Sequence, residues 1–197
     1  MGRSAMIGNW MLLGAACAAL AGCETVKDTS HSVGNAVESG WNSVFGENGA
    51  SAEADMKPTQ GYAASGRIKF TQRGQVVHVT VDLSGLSPNT EHGFHIHEKG
   101  DCSTSDGMSA GGHFNPEGVA HGSFEHPPHH AGDLPSLKAD ARGEVRASFD
   151  IGTLSVGAGP SDIIGRGVIV HRDPDDFKSQ PAGNSGPRVA CGIVVKT

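Results

Sequence analysis

Aromatic side chains are scarce in this sequence of 197 residues, making up 5% of it against 29 glycines and 10 prolines. That balance disfavours a helical bundle and points to a turn-rich assembly of short strands. Concentrated positive charge is missing too: the formal net charge is -6, and without a basic face the sequence argues against a nucleic-acid partner. The apolar run near the start is short and rich in Ala and Gly, whereas a membrane-spanning helix needs about 20 predominantly apolar residues. Cysteine is limited to 4 residues with no C-x-x-C pair, which removes the usual thiolate zinc site. Neither H-E-x-x-H nor a deaminase-type H-x-E with P-C-x-x-C occurs, so the common hydrolytic zinc layouts are also absent. There is no fixed-period repeat and no low-complexity tract.

What the sequence does have is a leader, one strand-rich domain and histidine. Arg3, an apolar stretch from Trp10 to Ala21 and small residues before a cysteine are the layout of a secretory signal over 1–22. Leu20-Ala21-Gly22-Cys23 resembles the lipobox of bacterial lipoproteins, which implies a lipid on Cys23 and attachment to a membrane of the bacterial cell envelope, facing the periplasm. Residues 23–60 read as a lipidated, largely disordered tether. Within it, Val33, Val37, Trp41, Val44 and Phe45 recur at the spacing of a short amphipathic helix.

From residue 61 to 197 the pattern becomes alternation, clearest in QVVHVTVDL, where Val77, Val79, Val81 and Leu83 share one face. GRIKFTQ, GFHIHE, a hairpin-like SLKADARGEVRASFDI, IIGRGVIVH and RVACGIVVK follow as further strands between Gly, Pro and Asp turns. The expected fold class is all-β, a sandwich or barrel with long loops.

The 11 histidines are concentrated in this domain. His95 and His97 lie two apart on one strand face and can converge on one ion. His113, His121, His130 and Asp133 follow in a Gly- and Pro-rich loop that needs a clamp. Three imidazoles and a carboxylate form a closed shell suited to zinc, while imidazoles without a carboxylate suit copper, which can change oxidation state. Of the cysteines, Cys17 leaves with the signal and Cys23 takes lipid. Cys102 and Cys191 remain, and in an oxidising compartment such a pair is usually bridged.

GFHIHEKGDC, AGGHFNP, the H-x-G-D of HHAGD, IIGRGVIVH and GNSGPRVACGIV resemble, in order, the signatures of the copper/zinc superoxide dismutases, over roughly Gly61 to Thr197. The resemblance implies a Greek-key antiparallel β-barrel or sandwich of about eight strands with long metal-binding and electrostatic loops. It implies copper on His95, His97, His113 and His171, and zinc on His113, His121, His130 and Asp133, one ion of each kind per subunit, with the His113 ring shared. It further implies Asp175 orienting a histidine of each group, a Cys102–Cys191 disulfide, and Arg188 guiding superoxide. His113 and Arg188 are then the catalytic pair, His113 passing a proton to the forming peroxide. His31, His78, His92, His126 and His129 read as solvated. Ala182 stands where many relatives carry threonine, and Lys178 is the one lysine between Asp173 and Pro187; a modest change in anion entry with retained activity is expected. A homodimer and a monomer are both open. The rival function is an envelope copper-delivery protein on the same scaffold, against which stands the nitrogen-rich ligand set, since delivery favours labile sulfur ligands.

Overall fold

A computed structural model describes residues 49–197. The signal, Cys23 and the amphipathic stretch lie outside the described residues. Within them run β1 (Ser51–Pro58), β2 (Ser65–Arg73), β3 (Val76–Ser84), β4 (Glu91–His92), β5 (Phe94–His97), β6 (Leu137–Lys138), β7 (Val145–Ile151), β8 (Gly167–His171), β9 (Arg188–Ile193) and β10 (Val195–Lys196). A single 3-10 turn spans Met108–Ala110, and no α-helix occurs among the described residues.

The strands form one antiparallel sheet in the order β5-β8-β9-β1-β2-β3-β7, with β10 beside β1 and a small β4-β6 pair apart from it. The chain crosses from β3 to β5 at the opposite end of the sheet and returns to place β7 beside β3, which is Greek-key connectivity. The sheet curls until its two end strands touch: the rings of Phe94 on β5 and Phe149 on β7 meet edge to face at 6.4 Å. Inside the curl lies a core built on alternation, with Ile68 and Phe70 of β2, Val77, Val79, Val81 and Leu83 of β3, and Phe94 and Ile96 of β5 all buried.

β5 and β8 are buried on both faces, unlike β2 and β3. Phe94, Ile96, Val168 and Val170 face the core. On the other face Ile169 packs with Ala110, Cys191 and the half-buried Cys102 of the loop that follows β5. That loop is tied down by the Cys102–Cys191 disulfide, which closes a sequence separation of 89.

Two expectations change. The tether expected over 23–60 does not extend to residue 60, because β1 lies in the middle of the sheet between β9 and β2. Its buried face is Ala52, Ala54 and Met56, with Glu53, Asp55 and Lys57 alternating outward. Alanine carries little hydrophobic signal and little strand preference, so the period is present but faint. The second change concerns the hairpin expected across SLKADARGEVRASFDI. β6 pairs with β4, and β7 pairs with β3. The Asp140 carboxylate accepts the N–H groups of Arg142 and Glu144, closing a local turn from which the two strands diverge.

Candidate metal centre

The site grows from the free edge of β5. Its other edge pairs with β8, and the loop containing His113 and Asp133 folds back onto the open one. Ile96 N–H donates to Gly132 O at 3.0 Å and Phe114 N–H donates to Ile96 O at 2.8 Å, so His113 and Asp133 arrive opposite His97 and His95. A Cβ at Gly132 would overlap the Ile96 carbonyl, which is the physical content of the glycine in H-x-G-D. His171 ends β8, where a register irregularity between Val170 and His171 re-aims the side chain and sets Arg188 of β9 opposite it.

The consequence is two groups of buried donor atoms: His95, His97, His113 and His171 in one, and His113, His121, His130 and Asp133 in the other. Within each group the ligand-type atoms lie within 4.8 Å of one another, and His113 belongs to both. The His95 and His113 rings are stacked with centroids 3.9 Å apart.

The hydrogen bonds decide which nitrogens are left over. His97 Nδ1–H donates to Gly111 O at 2.9 Å, and His171 Nδ1–H donates to Gly186 O at 3.1 Å. His95 Nε2–H donates to Asp175 Oδ2 at 2.7 Å. Each bond fixes a tautomer, so the opposite nitrogen carries a lone pair. Those opposite atoms, His95 Nδ1, His97 Nε2 and His171 Nε2, are buried without a hydrogen-bond partner, as is His113 Nε2. Leaving this many buried lone pairs unpaired is costly, and an ion that accepts nitrogen would satisfy them together. Burial lowers the basicity of all four rings, His113 to about 4 and His171 to about 3, which keeps them neutral and free to bind at physiological pH.

The second group is crowded around a carboxylate. Asp133 Oδ1 lies 2.8 Å from His113 Nδ1 and 3.3 Å from His130 Nδ1. Asp133 Oδ2 lies 3.1 Å from His121 Nδ1, which is buried and makes no properly directed hydrogen bond. Burial alone would raise the Asp133 carboxyl, but the His113, His121 and His130 rings close around it override this and hold the group well below the usual range. Burial would likewise lower His121, yet the Asp133 and Asp175 carboxylates on either side lift it to about 9. Two carboxylates there call for a positive charge, supplied by a proton on His121 when no ion is bound. Nitrogen and oxygen donors of this kind fit zinc.

Asp175 links the groups: its Oδ1 accepts from His121 Nε2–H at 3.0 Å and its Oδ2 from His95 Nε2–H. Arg188 is held by Nη1–H to Gly107 O at 2.6 Å and Nη2–H to Gly111 O at 2.5 Å. Gly111 O therefore receives both His97 and Arg188, so one carbonyl registers the guanidinium against the first group. Burial lowers the Arg188 pKa, and its charge in turn helps depress His97 and His171.

The structure thus brings His95, His97 and His171 together around His113, and His121, His130 and Asp133 together on its other side, with Asp175 and Arg188 beside them, while Cys23 is outside the described residues. His92 is the correction. It is buried, and its Nδ1–H donates to His171 O at 2.8 Å. Its place two before Phe94 puts it at the parity of the core residues, a signal for burial. His78 lies 2.7 Å from Asp150 and is half-buried, His129 donates to His130 O, and His126 is exposed. Gln180 was not a candidate, yet it grips His121 from both sides: Oε1 accepts its N–H and Nε2–H donates to its carbonyl.

Comparison with known proteins agrees with this arrangement. A family model described as copper/zinc superoxide dismutase matches residues 64–194. The chain is 37% identical over 147 residues to superoxide dismutase [Cu-Zn] 2 of Aquifex aeolicus, covering 73% of this chain and 85% of that protein. It is 43% identical over 137 residues to an extracellular superoxide dismutase [Cu-Zn] of Drosophila melanogaster, covering 66% and 74%. Among solved structures, the clock protein EA4 aligns with a TM-score of 0.69 at 38% identity, covering 76% of this chain and 96% of the other.

Proposed function

Because the chain belongs to the copper/zinc superoxide dismutase family, we propose that it dismutes superoxide at a copper and a zinc joined by the ring of His113. His95 Nδ1, His97 Nε2, His113 Nε2 and His171 Nε2 would hold copper; His113 Nδ1, His121 Nδ1, His130 Nδ1 and Asp133 would hold zinc. Bound copper supplies a reversible one-electron change, by which two superoxide anions and two protons become one dioxygen and one hydrogen peroxide.

The protein's own groups do the rest. Gly111 O, Gly186 O and Asp175 hold the rings of His97, His171, His95 and His121 in the required tautomers. Arg188, anchored at two carbonyls, presents a fixed cation that draws the small anion in and orients it. His113 holds a proton at Nε2 between the half-reactions and gives it to the nascent peroxide, while the Asp133 side keeps the ring from turning away.

The observation that carries this reading is that one buried ring, His113, belongs to both donor groups, with its Nδ1 beside Asp133 and its Nε2 buried without a hydrogen-bond partner. Metal analysis of the purified domain, with dismutation measured before and after selective copper removal, tests it. One copper and one zinc per chain are expected, with turnover lost on removal and restored by copper. Turnover that survives without copper rejects the proposal, and one labile copper without turnover favours delivery instead.

We extend the proposal to location on sequence grounds. Leu20-Ala21-Gly22-Cys23 supports a lipid on Cys23 and an envelope-bound enzyme. Mass spectrometry of the mature N-terminus should find an acylated Cys23; an unmodified terminus elsewhere removes the anchor.

A further inference from the structure

Thr59 is a buried polar residue joined to Arg188. It follows β1 directly and is 8% exposed. Its hydroxyl donates to Arg188 O at 2.6 Å across 129 residues of sequence, and its N–H donates to Val189 O at 3.2 Å. Its methyl carbon faces Gly107, where a Cβ would lie 3.4 Å from it and 3.5 Å from Arg188 Cδ. The next residue, Gln60, donates its N–H to Ser105 O at 2.7 Å. One short segment therefore holds the main chain of Arg188 and also braces the loop whose Gly107 and Gly111 carbonyls grip the guanidinium.

We propose that Thr59 is a positioning residue for Arg188, holding the backbone and the guanidinium cradle in one register so that the cation points at the incoming anion. The inference rests on the guidance role given to Arg188. The Thr59 hydroxyl is the part of the clamp that a near-isosteric change tests: Thr59→Val keeps a methyl toward Gly107 and deletes the donor to Arg188 O. Arg188 then keeps its charge and its two carbonyl partners, while its main chain loses the bond that registers it against them.

The test uses the metal-loaded full chain with Thr59→Val, Thr59→Ser and Arg188→Lys. Thr59→Val is expected to keep wild-type copper and zinc content while kcat/KM for superoxide falls about 3- to 10-fold, a drop of about 0.7–1.4 kcal/mol in transition-state terms. Azide, titrated by its optical band, should bind more weakly by a similar factor, and Thr59→Ser should restore both. In zinc-loaded, copper-free protein the Arg188 guanidinium N–H resonances should broaden in Thr59→Val and sharpen in Thr59→Ser. Wild-type kcat/KM and azide affinity in Thr59→Val, with Arg188→Lys impaired, overturn the clamp and leave the guidance role standing. A loss in Thr59→Val that follows metal content alone also overturns it. Full activity in Arg188→Lys overturns the guidance role and the clamp together.

Discussion

A side chain cannot be added at Gly183. A Cβ there would overlap Asp175 Oδ1 and come within 2.7 Å of His121 Nε2, and the residue has φ +63. Gly183→Ala should therefore push Asp175 off His95 and His121 and weaken metal binding by about 10–100-fold, the usual cost of losing an orienting partner. Chelator competition measures this, and unchanged affinity for both ions would contradict the role given to Asp175. At this scale the sequence was generous with ligands, because H-x-H on a strand and H-x-G-D in a loop are spacings with direct geometric meaning. It was silent about Gly111 O and Gly186 O, since a carbonyl has no letter of its own. It misdirected at His92, whose parity with Phe94 and Ile96 spoke for burial while the polar side chain suggested solvent. Thr59 carried no signal either, because its partner lies 129 residues away.

The loop after β5 shows what the elements contribute. It supplies Gly107 O and Gly111 O to Arg188, and it is held to β9 by the Cys102–Cys191 bond. Closing a separation of 89 residues restricts the unfolded chain by about 4–5 kcal/mol in the loop-entropy picture. The Cys102→Ser, Cys191→Ser pair should accordingly lower the unfolding free energy of the metal-free protein by about 3–5 kcal/mol in denaturant titration. A change below about 1 kcal/mol would mean that the loop is held by its other contacts. Strands β2, β3, β5 and β8 were legible because Val, Ile and Phe alternate along them or fill them. β1 was not, since two of its three buried residues are alanines. The partner of β6 was not legible because a two-residue strand has too little pattern to choose one.

Across the whole molecule, the unusual basicities of the site become a pH dependence of stability. Burial holds folded His113 at about 4 and His171 at about 3, below the ordinary 6.5. Between those values and 6.5 the unfolded chain takes up protons that the folded chain refuses. This contribution is full above 6.5 and is lost as pH falls toward the folded values. His121, raised to about 9, works in the opposite sense: its contribution is present below 6.5 and is lost as pH rises through about 9. Calorimetry of the metal-free protein should place the highest Tm near pH 6.5, with a fall from there toward about 4 and another fall between about 6.5 and about 9. A Tm that climbs on acidification below pH 6.5 would contradict these assignments. Metal binding and stability are coupled through the same side chains, because the ion satisfies the lone pairs of the first group and replaces the proton of the second. All of this depends on the sharing of His113, and anomalous diffraction from metal-loaded crystals, recorded at the copper and zinc edges, tests that most directly. Copper is expected beside Nε2 and zinc beside Nδ1 of the same ring, each at about 2.0–2.1 Å. Two ions with no ring in common, or a single ion serving both groups, would contradict it.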